Sequence, residues 1–389
     1  MRVAINLLTD HPDNPTGAHW GWSRTIPEMA KLLTPDEEFL LVVSPRSRPL
    51  HEGYGDNVRY ITFPWSNEAV IRRTLSEHLY SPLRLPLSGV DIFSTLIAPL
   101  VKPAPSLVAH FKTMHAYATP QALRPANRIY RRMGYPHTAK IADAIILNSM
   151  SLLHEVQEYL NVDPAKLHII PEAVDHELFR PGDRDEAKDL VSTKYGVKRP
   201  FVLFVSSLWR YKNCHGLFRA FAAARPELGD RQLVIVGAPR DEKYVADLQE
   251  LAEELGIAKD VVWVGGVPLQ ETVHFYRSCD VFAYPSFNET FGLPILEAMA
   301  SGCPVVTSDL ASMPEIAGGA ALLIDPNDPE SIAEALIRAC GSMGGQLRSG
   351  GLARAAEFTW ATTAERTLAV YRQVHAQRRQ ARRRPRRER

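Results

Sequence analysis

Two carboxylates with seven residues between them, Glu289 and Glu297, bracket the sequence Phe291-Gly292-Leu293-Pro294. Before them runs Val281-Phe282-Ala283-Tyr284, a short apolar stretch that predicts a buried strand. After them, Ile295 to Ala300 is a run of good helix formers, with Pro294 where a first helical turn tolerates it. A strand, loop and helix in this order place free backbone N–H groups and the positive end of a helix dipole at Gly292, a site suited to a phosphate or diphosphate. Taken alone, Glu289 is equally well a solvated loop charge and Glu297 an acid complementing the helix dipole. Together around one Gly-Pro helix start they point to a shared site. Lys212 is a second anomaly of the same kind. It directly precedes Asn213, a suitable N-cap, and a cation there opposes the dipole unless an anion joins it. A third candidate is His115, which follows the apolar run Leu107–Phe111 at the edge where open α/β sheets bind ligands. A hydrogen-bonded structural histidine is its ordinary alternative.

These residues need rigid elements to hold them. In residues 1 to about 175, strand-like runs (Val3–Leu7, Phe39–Ser44, Val58–Phe63, Asp91–Leu96, Leu107–Lys112, Ala144–Asn148, Leu167–Pro171) alternate with helix-like ones (about 20–33, 67–79, 122–133, 150–160). The alternation resumes at Pro200–Ser206 and continues through strands at Gln232–Gly237, Val261–Gly265, Val281–Tyr284, Pro304–Ser308 and Ala321–Ile324. This pattern predicts α/β architecture with mostly parallel sheets, and 389 residues call for two domains. The expected boundaries are 1–175, a polar linker over 176–198, 199–358, a final helix over 359–377 and a basic, disordered tail over 378–389. Asp183-Arg184-Asp185 spells D-x-D, yet it follows Pro181-Gly182 in that linker instead of ending an apolar strand, so it reads as a solvated loop and not as a metal site.

The tail holds eight arginines and one glutamate. The whole chain carries +1 and the tail +7, so the rest carries −6 and makes no electrostatic case for nucleic acid. The tail, and the basic stretch Arg124 to Lys140, suit peripheral contact with an anionic membrane surface, although a solvated helix face explains the latter as well. Cys214, Cys279, Cys303 and Cys340 lie far apart, which disfavours a zinc cluster and fits a reducing cytoplasm, at most peripheral to the inner face of a membrane. The N-terminus turns polar too soon for a signal peptide, and no stretch of about twenty apolar residues is present.

The Glu289–Glu297 segment resembles the donor-site motif of retaining glycosyltransferases of family 4 (glycosyl transferases group 1). The likeness extends over most of the chain, more strongly from 200 to 376. It implies a GT-B fold, two Rossmann-like domains facing a central cleft with the last helix crossing back to the first domain, and transfer of a hexose, mannose as the first choice, from a nucleoside-diphosphate sugar with retention. The implied acceptor is a glycan, a lipid-linked or a small molecule, and the implied pathway polysaccharide biosynthesis. No cofactor and no metal is implied. By position, Glu297 would hold the ribose, Glu289 would lie beside the sugar, and the backbone of Phe291, Gly292 and Leu293 would face sugar and diphosphate. Lys212 would grip the diphosphate, His115 would lie near the sugar, Gly266 and Val267 near the base, and Gly17 in a loop toward the acceptor. The family arginine near the lysine is replaced by Ser207, leaving Arg210 as a substitute. Ala116 and Glu172-Ala173 also depart from the family pattern. Two other classes stay open: a catalytically silent nucleotide-sugar-binding protein, which Ser207 and Ala116 favour, and a nicotinamide-dependent oxidoreductase, which the lack of a G-x-G-x-x-G fingerprint disfavours.

Overall fold

A computed structural model describes residues 1–10, 17–63, 74, 77, 78, 88–100 and 105–383. The chain forms two compact units, one of residues 1–172 with the segment from Trp360 onward, the other of Ala173–Thr359.

Seven parallel strands make the first unit's sheet: β1 (Arg2–Asn6), β2 (Glu38–Val43), β3 (Val58–Thr62), β4 (Ile92–Thr95), β5 (Ser106–Phe111), β6 (Ala144–Leu147) and β7 (Leu167–Ile169), in the order β3-β2-β1-β4-β5-β6-β7. The strands are almost continuously apolar because helices cover both faces. Strand alternation sorts their side chains. Leu107, Ala109, Phe111, Ile145 and Leu147 join one core cluster, and Val108, Ala144 and Ile146 join the other. On the second cluster lie α1 (Gly17–Lys31), through Trp22, Ile26 and Met29, and the chain's last helix. On the first lie α2 (Pro125–Ile141) and α3 (Met150–Leu160), through Tyr135, Ala139, Leu152 and Val156. Ser149 caps α3 by accepting from the Leu152 N–H, as its residue type predicts. The helix expected over 67–79 falls almost entirely outside the described residues.

The second unit's sheet contains β8 (Phe201–Val205), β9 (Gln232–Val236), β10 (Val261–Gly265), β11 (Val281–Tyr284), β12 (Val305–Ser308) and β13 (Leu322–Ile324), all parallel, in the order β10-β9-β8-β11-β12-β13. Its helices are α4 (Arg184–Tyr195), α5 (Cys214–Leu228), α6 (Glu242–Glu254), α7 (Leu269–Ser278), α8 (Leu293–Ala300), α9 (Met313–Ala317), α10 (Pro329–Cys340) and α11 (Gly344–Ala355). In each sheet the strand order reverses once, between β1 and β4 in the first and between β8 and β11 in the second. Ligands bind open α/β sheets beyond the strand ends at such switch points.

Two expectations change. Most of the polar linker is helix. Asp183 caps α4 by accepting from the Asp185 and Glu186 N–H groups, Ala187 and Val191 bury one face, and Gly196 closes the helix at φ 72°. The Asp183-Arg184-Asp185 segment, expected to be a solvated loop, is therefore a helix start, and Arg184 pairs with Asp280 at 2.5 Å. The final helix, α12, spans Trp360–Arg383 and runs into the stretch expected to be disordered tail. Arginine, glutamine and alanine favour helix there, and the first breaker is Pro385. Ala364, Leu368, Tyr371 and Val374 of α12 join the first unit's core, and Arg378 donates to the Asp91 carbonyl at 2.7 Å. Each large apolar side chain so buried stabilises the unit by ~1.5–3 kcal/mol. Among the described residues no helix is long and apolar enough to cross a membrane.

Candidate active site

The loops after β8 and β11 meet at the second sheet's switch point. The first ends in a 3-10 turn over Arg210–Lys212, and Asn213 then opens α5 from the left-handed region, φ 59°, which asparagine enters more easily than most residues. Its Oδ1 accepts from the Gly216 N–H at 3.2 Å and its Nδ2 donates to the Pro326 carbonyl at 2.7 Å, so one side chain caps the helix and ties it to a neighbouring loop. This fixes Lys212, which is only 7% exposed. Its ammonium donates to Glu289 Oε1 at 2.5 Å and to Tyr284 Oη at 2.9 Å, and it lies 4.9 and 5.3 Å from the ring centres of Tyr211 and Tyr284. Burial alone would drive the proton off. The Glu289 carboxylate, with the Tyr284 and Tyr211 hydroxyls, outweighs it and holds the Lys212 pKa above its ordinary value. Lys212 and Glu289, singled out separately in the sequence, form one buried ion pair.

The second loop is pinned from below. Phe287 donates its N–H to the Tyr211 carbonyl at 2.9 Å, Ser308 Oγ donates to the Ser286 carbonyl at 2.6 Å, and Ser312 Oγ reaches the Glu289 and Phe291 carbonyls at 2.8 and 2.9 Å. Gly292 then opens α8 at φ 94°, where a Cβ would lie 3.1 Å from Ile295 Cδ1. Phe291 is buried against Phe358. Among the described residues nothing accepts from the N–H groups of Phe291, Gly292 and Leu293. They lead into a helix start whose dipole favours an anion. One turn into α8, Glu297 accepts from Tyr276 Oη at 3.0 Å. Although part of its surface stays accessible, the dense packing around its carboxyl pushes its pKa up to about 7, against the pull of the tyrosine hydrogen bond.

Other expected residues are dispersed. Arg210 does not join Lys212: it pairs with Asp247 at 2.5 Å and lies 4.8 Å over the Tyr244 ring, on the exposed side of the turn. Gly266 and Val267 follow β10, whose last residue, Gly265, has φ 78°. Beside them Gly237 accepts no substitution, since a Cβ would stand 1.8 Å from the Ser206 carbonyl oxygen. The ends of β8, β9 and β10 therefore meet as bare backbone. His115 belongs to the first unit, in the turn after β5, with Nδ1 2.6 Å from Thr119 Oγ1. Gly17 is the first residue of α1 and not part of a loop. His110, inside β5, is core. Burial pulls its pKa well below the ordinary value, and Tyr371 Oη lies 3.2 Å from its Nε2. Sequence reasoning missed Tyr276, Tyr284, Ser308 and Ser312. The signal for Tyr284 and Ser308, polar groups at the ends of apolar runs, acquires meaning only with the strand order, and Tyr276 inside α7 and Ser312 before α9 carry no such signal.

Residues 185–342 match the family model described as glycosyl transferases group 1, and residues 21–178 match that of glycosyltransferase family 4. A D-inositol 3-phosphate glycosyltransferase of Corynebacterium glutamicum (strain R) is 31% identical over 239 residues, which cover 59% of this chain and 57% of that protein. One from Stackebrandtia nassauensis is 34% identical over 280 residues, covering 68% and 60%. The chain thus spans less than two thirds of the length of the curated relatives it matches. Among solved structures, sucrose-phosphate synthase from Thermosynechococcus elongatus superposes with a TM-score of 0.74 at 18% identity, over 97% of this chain and 99% of that one. Two matched family models, one for each unit, and this shared GT-B fold lead to one assignment: the chain belongs to the glycosyl transferases group 1 family.

Proposed function

We propose that the protein transfers a hexose from a nucleoside-diphosphate sugar to a hydroxyl acceptor, with retention of configuration and without a metal. The observation that carries this reading is the buried Lys212–Glu289 pair beside the amides of Phe291, Gly292 and Leu293, which have no partner among the described residues, at the switch point. Loss of the nucleoside diphosphate builds negative charge on the leaving group. A lysine held charged by its surroundings and fixed backbone N–H groups stabilise that charge without reorganising. Glu289 shares its carboxylate between Lys212 and a sugar hydroxyl, and Glu297 accepts from the ribose. A structural neighbour, HepE from Anabaena, is solved in complex with UDP-glucose (TM-score 0.71, 17% identity, 96% of this chain and 100% of that one), which supports a nucleotide-sugar donor; mannose and glucose are the sugars to test first. The name of the curated relatives favours a small hydroxylated acceptor over a long glycan. The arginine-rich C-terminal stretch and the basic residues between Arg124 and Lys140 support peripheral electrostatic contact with an anionic membrane surface on the cytoplasmic side.

Thermal-shift and turnover assays with UDP-glucose and GDP-mannose test the reading, since a ligand of the folded state raises its melting temperature. Stabilisation by one donor, with turnover that survives excess chelator, is the expected result. Loss of turnover that magnesium restores sinks the metal-free mechanism, and absence of any donor binding sinks the whole reading. A second reading, binding without transfer, is favoured by Ser207 and by the engagement of Arg210 with Asp247. Slow hydrolysis of bound donor in the absence of acceptor decides against it.

A further inference from the structure

Helix α2 turns one face into the first unit and the other away from it. Tyr135, Thr138 and Ala139 are buried, and Gly134 lies so close to Ile97 that a Cβ would stand 2.8 Å from its Cγ2. On the opposite face Ile129, Met133, Pro136 and Lys140 follow one another at helical spacing, and all four are exposed. Met133 and Ile129, one turn apart, are 70% and 58% exposed. Leu100, 66% exposed, adjoins the same stripe, because the carbonyl of the preceding Pro99 lies 2.8 Å from His137 Nε2 of α2. These are the three most exposed large apolar side chains among the described residues, and they share one corner. Single exposed leucines are ordinary on a protein surface, whereas a cluster marks a contact.

The charge around the stripe has one sign. No aspartate or glutamate occurs between Asp91 and Asp143. Arg124, Arg132 and Lys140 are exposed and Arg128 is half-buried. Among the described residues none of the four pairs with a carboxylate. Arg132 donates to the Ala116 carbonyl at 2.9 Å and lies 5.5 Å over the Tyr117 ring, both neutral partners that leave its charge uncompensated. Acids return on α3, where Glu158 adjoins Tyr159, whose ring stacks on Tyr117 at 5.2 Å and bounds the face. Apolar side chains flanked by unpaired cations, on a helix lying flat along its unit, suit the boundary between head groups and acyl chains of an anionic bilayer. A second copy fits poorly, since pairing this face with itself sets cation against cation. A protein partner is disfavoured by size, because a stable interface buries ~800 Å² a side, more than three side chains supply. We propose that the outer face of α2 docks on an anionic bilayer, with Ile129 and Met133 inserted below the head groups and Arg124, Arg128, Arg132 and Lys140 set among them. The peripheral contact proposed above, on which this face rests, thereby gains an apolar component that salt does not screen.

The test sediments the full-length protein with vesicles of phosphatidylcholine alone, or of phosphatidylcholine and phosphatidylglycerol in equal parts. It is run at about 0.1 M and about 1 M salt, between which the Debye length falls from about 10 to 3 Å. The wild type should bind the mixed vesicles, bind the neutral ones far more weakly, and keep part of its binding at the higher salt. Ile129→Ser with Met133→Ser should leave the melting temperature unchanged, since both side chains are exposed. It should lower partitioning about tenfold or more at both salt concentrations, the loss of two inserted side chains. Arg128→Gln with Lys140→Gln should lower it about tenfold at low salt and little at high salt. No binding to the mixed vesicles overturns the docking face together with the peripheral contact. Binding that the serine pair retains in full overturns the α2 face alone, and its loss on truncation after Arg383 then assigns the contact to the tail. A wild-type dimer in sedimentation velocity that the serine pair splits gives the face to a second copy. Binding to polyglutamate without binding to vesicles gives it to an acidic protein, and either result overturns the bilayer. Donor binding is measured without vesicles, so the transfer reading stands or falls separately.

Discussion

Lys212 shows how much one contact changes the meaning of a residue. A lone buried ammonium would shed its proton; paired with Glu289 it stays charged. Removing one member of such a pair strands the other, so Lys212→Ala should destabilise the fold by ~3–5 kcal/mol. It should also slow the chemical step on the order of a hundredfold. Lys212→Met with Glu289→Gln should recover most of the stability and none of the rate. Denaturant unfolding and single-turnover kinetics separate the two effects, and a double variant as unstable as the single one refutes the pairing argument. Glu297 gives a pH signature. Its carboxyl titrates at about 7 in the fold against an ordinary 4.5. Stability from this group is therefore complete below pH 4.5 and declines as pH rises to about 7. Ribose hydroxyls donating to the ionised form should make nucleoside-diphosphate affinity rise through about pH 7, and Glu297→Gln should flatten that rise. Calorimetry across this range checks it; a wild-type curve as flat as the variant's removes Glu297 from the ribose. Glu289, Glu297 and Lys212 were legible in the sequence because each is marked by its immediate neighbours. Tyr284 and Tyr276 were not, because their contacts with Lys212 and Glu297 bridge 72 and 21 residues and depend on the packing of β11 and α7. The diversion of Arg210 depends likewise on α6 bringing Asp247 beside it.

At the scale of elements, the site depends on the rigidity of the loop between β11 and α8. Ser312 lies before α9 and holds that loop through the Glu289 and Phe291 carbonyls. Ser312→Ala should lower kcat several-fold while leaving nucleoside-diphosphate binding nearly unchanged, because the sugar-side carboxylate loses its anchor and Glu297 does not. An equal loss in both would make the serine a general structural support. Gly292→Ala forces a side chain into the left-handed region and toward Ile295, and should cost ~1–2 kcal/mol from the backbone alone. Chemical denaturation measures it; a stability equal to the wild type would mean that the helix start relaxes freely. Most strands were readable, since parallel strands buried on both faces are short apolar runs with distinct ends. Helix α4 was hidden in a charged stretch whose composition looks like linker, although Asp183, Glu186, Ala187 and Val191 carry the cap and the buried face. Helices α9 and α11 have no clear apolar period, and glycine-rich α11 contradicts its own propensity.

At the scale of the molecule, two α/β units were legible from the alternation of strand and helix, and the return of the last helix from the family resemblance. Its true extent was not, because the arginine composition of the tail masks a helix that lasts to Arg383. Truncation after Arg383 should leave unfolding unchanged. Truncation after Thr359 should unfold the first unit, since it strips Ala364, Leu368, Tyr371 and Val374 from the core. Circular dichroism of the two truncated proteins distinguishes these outcomes, and a folded first unit in the shorter one refutes the packing argument. The same helix has a consequence during synthesis. Residues 1–172 leave the ribosome long before the segment that completes their core. At cellular elongation rates the interval is about 10–40 s. The second unit, continuous in sequence, is finished within it. The protein is therefore built out of order: the later half matures first, while the earlier half waits with one apolar face uncovered, a natural client for chaperones until the 24 residues of α12 arrive.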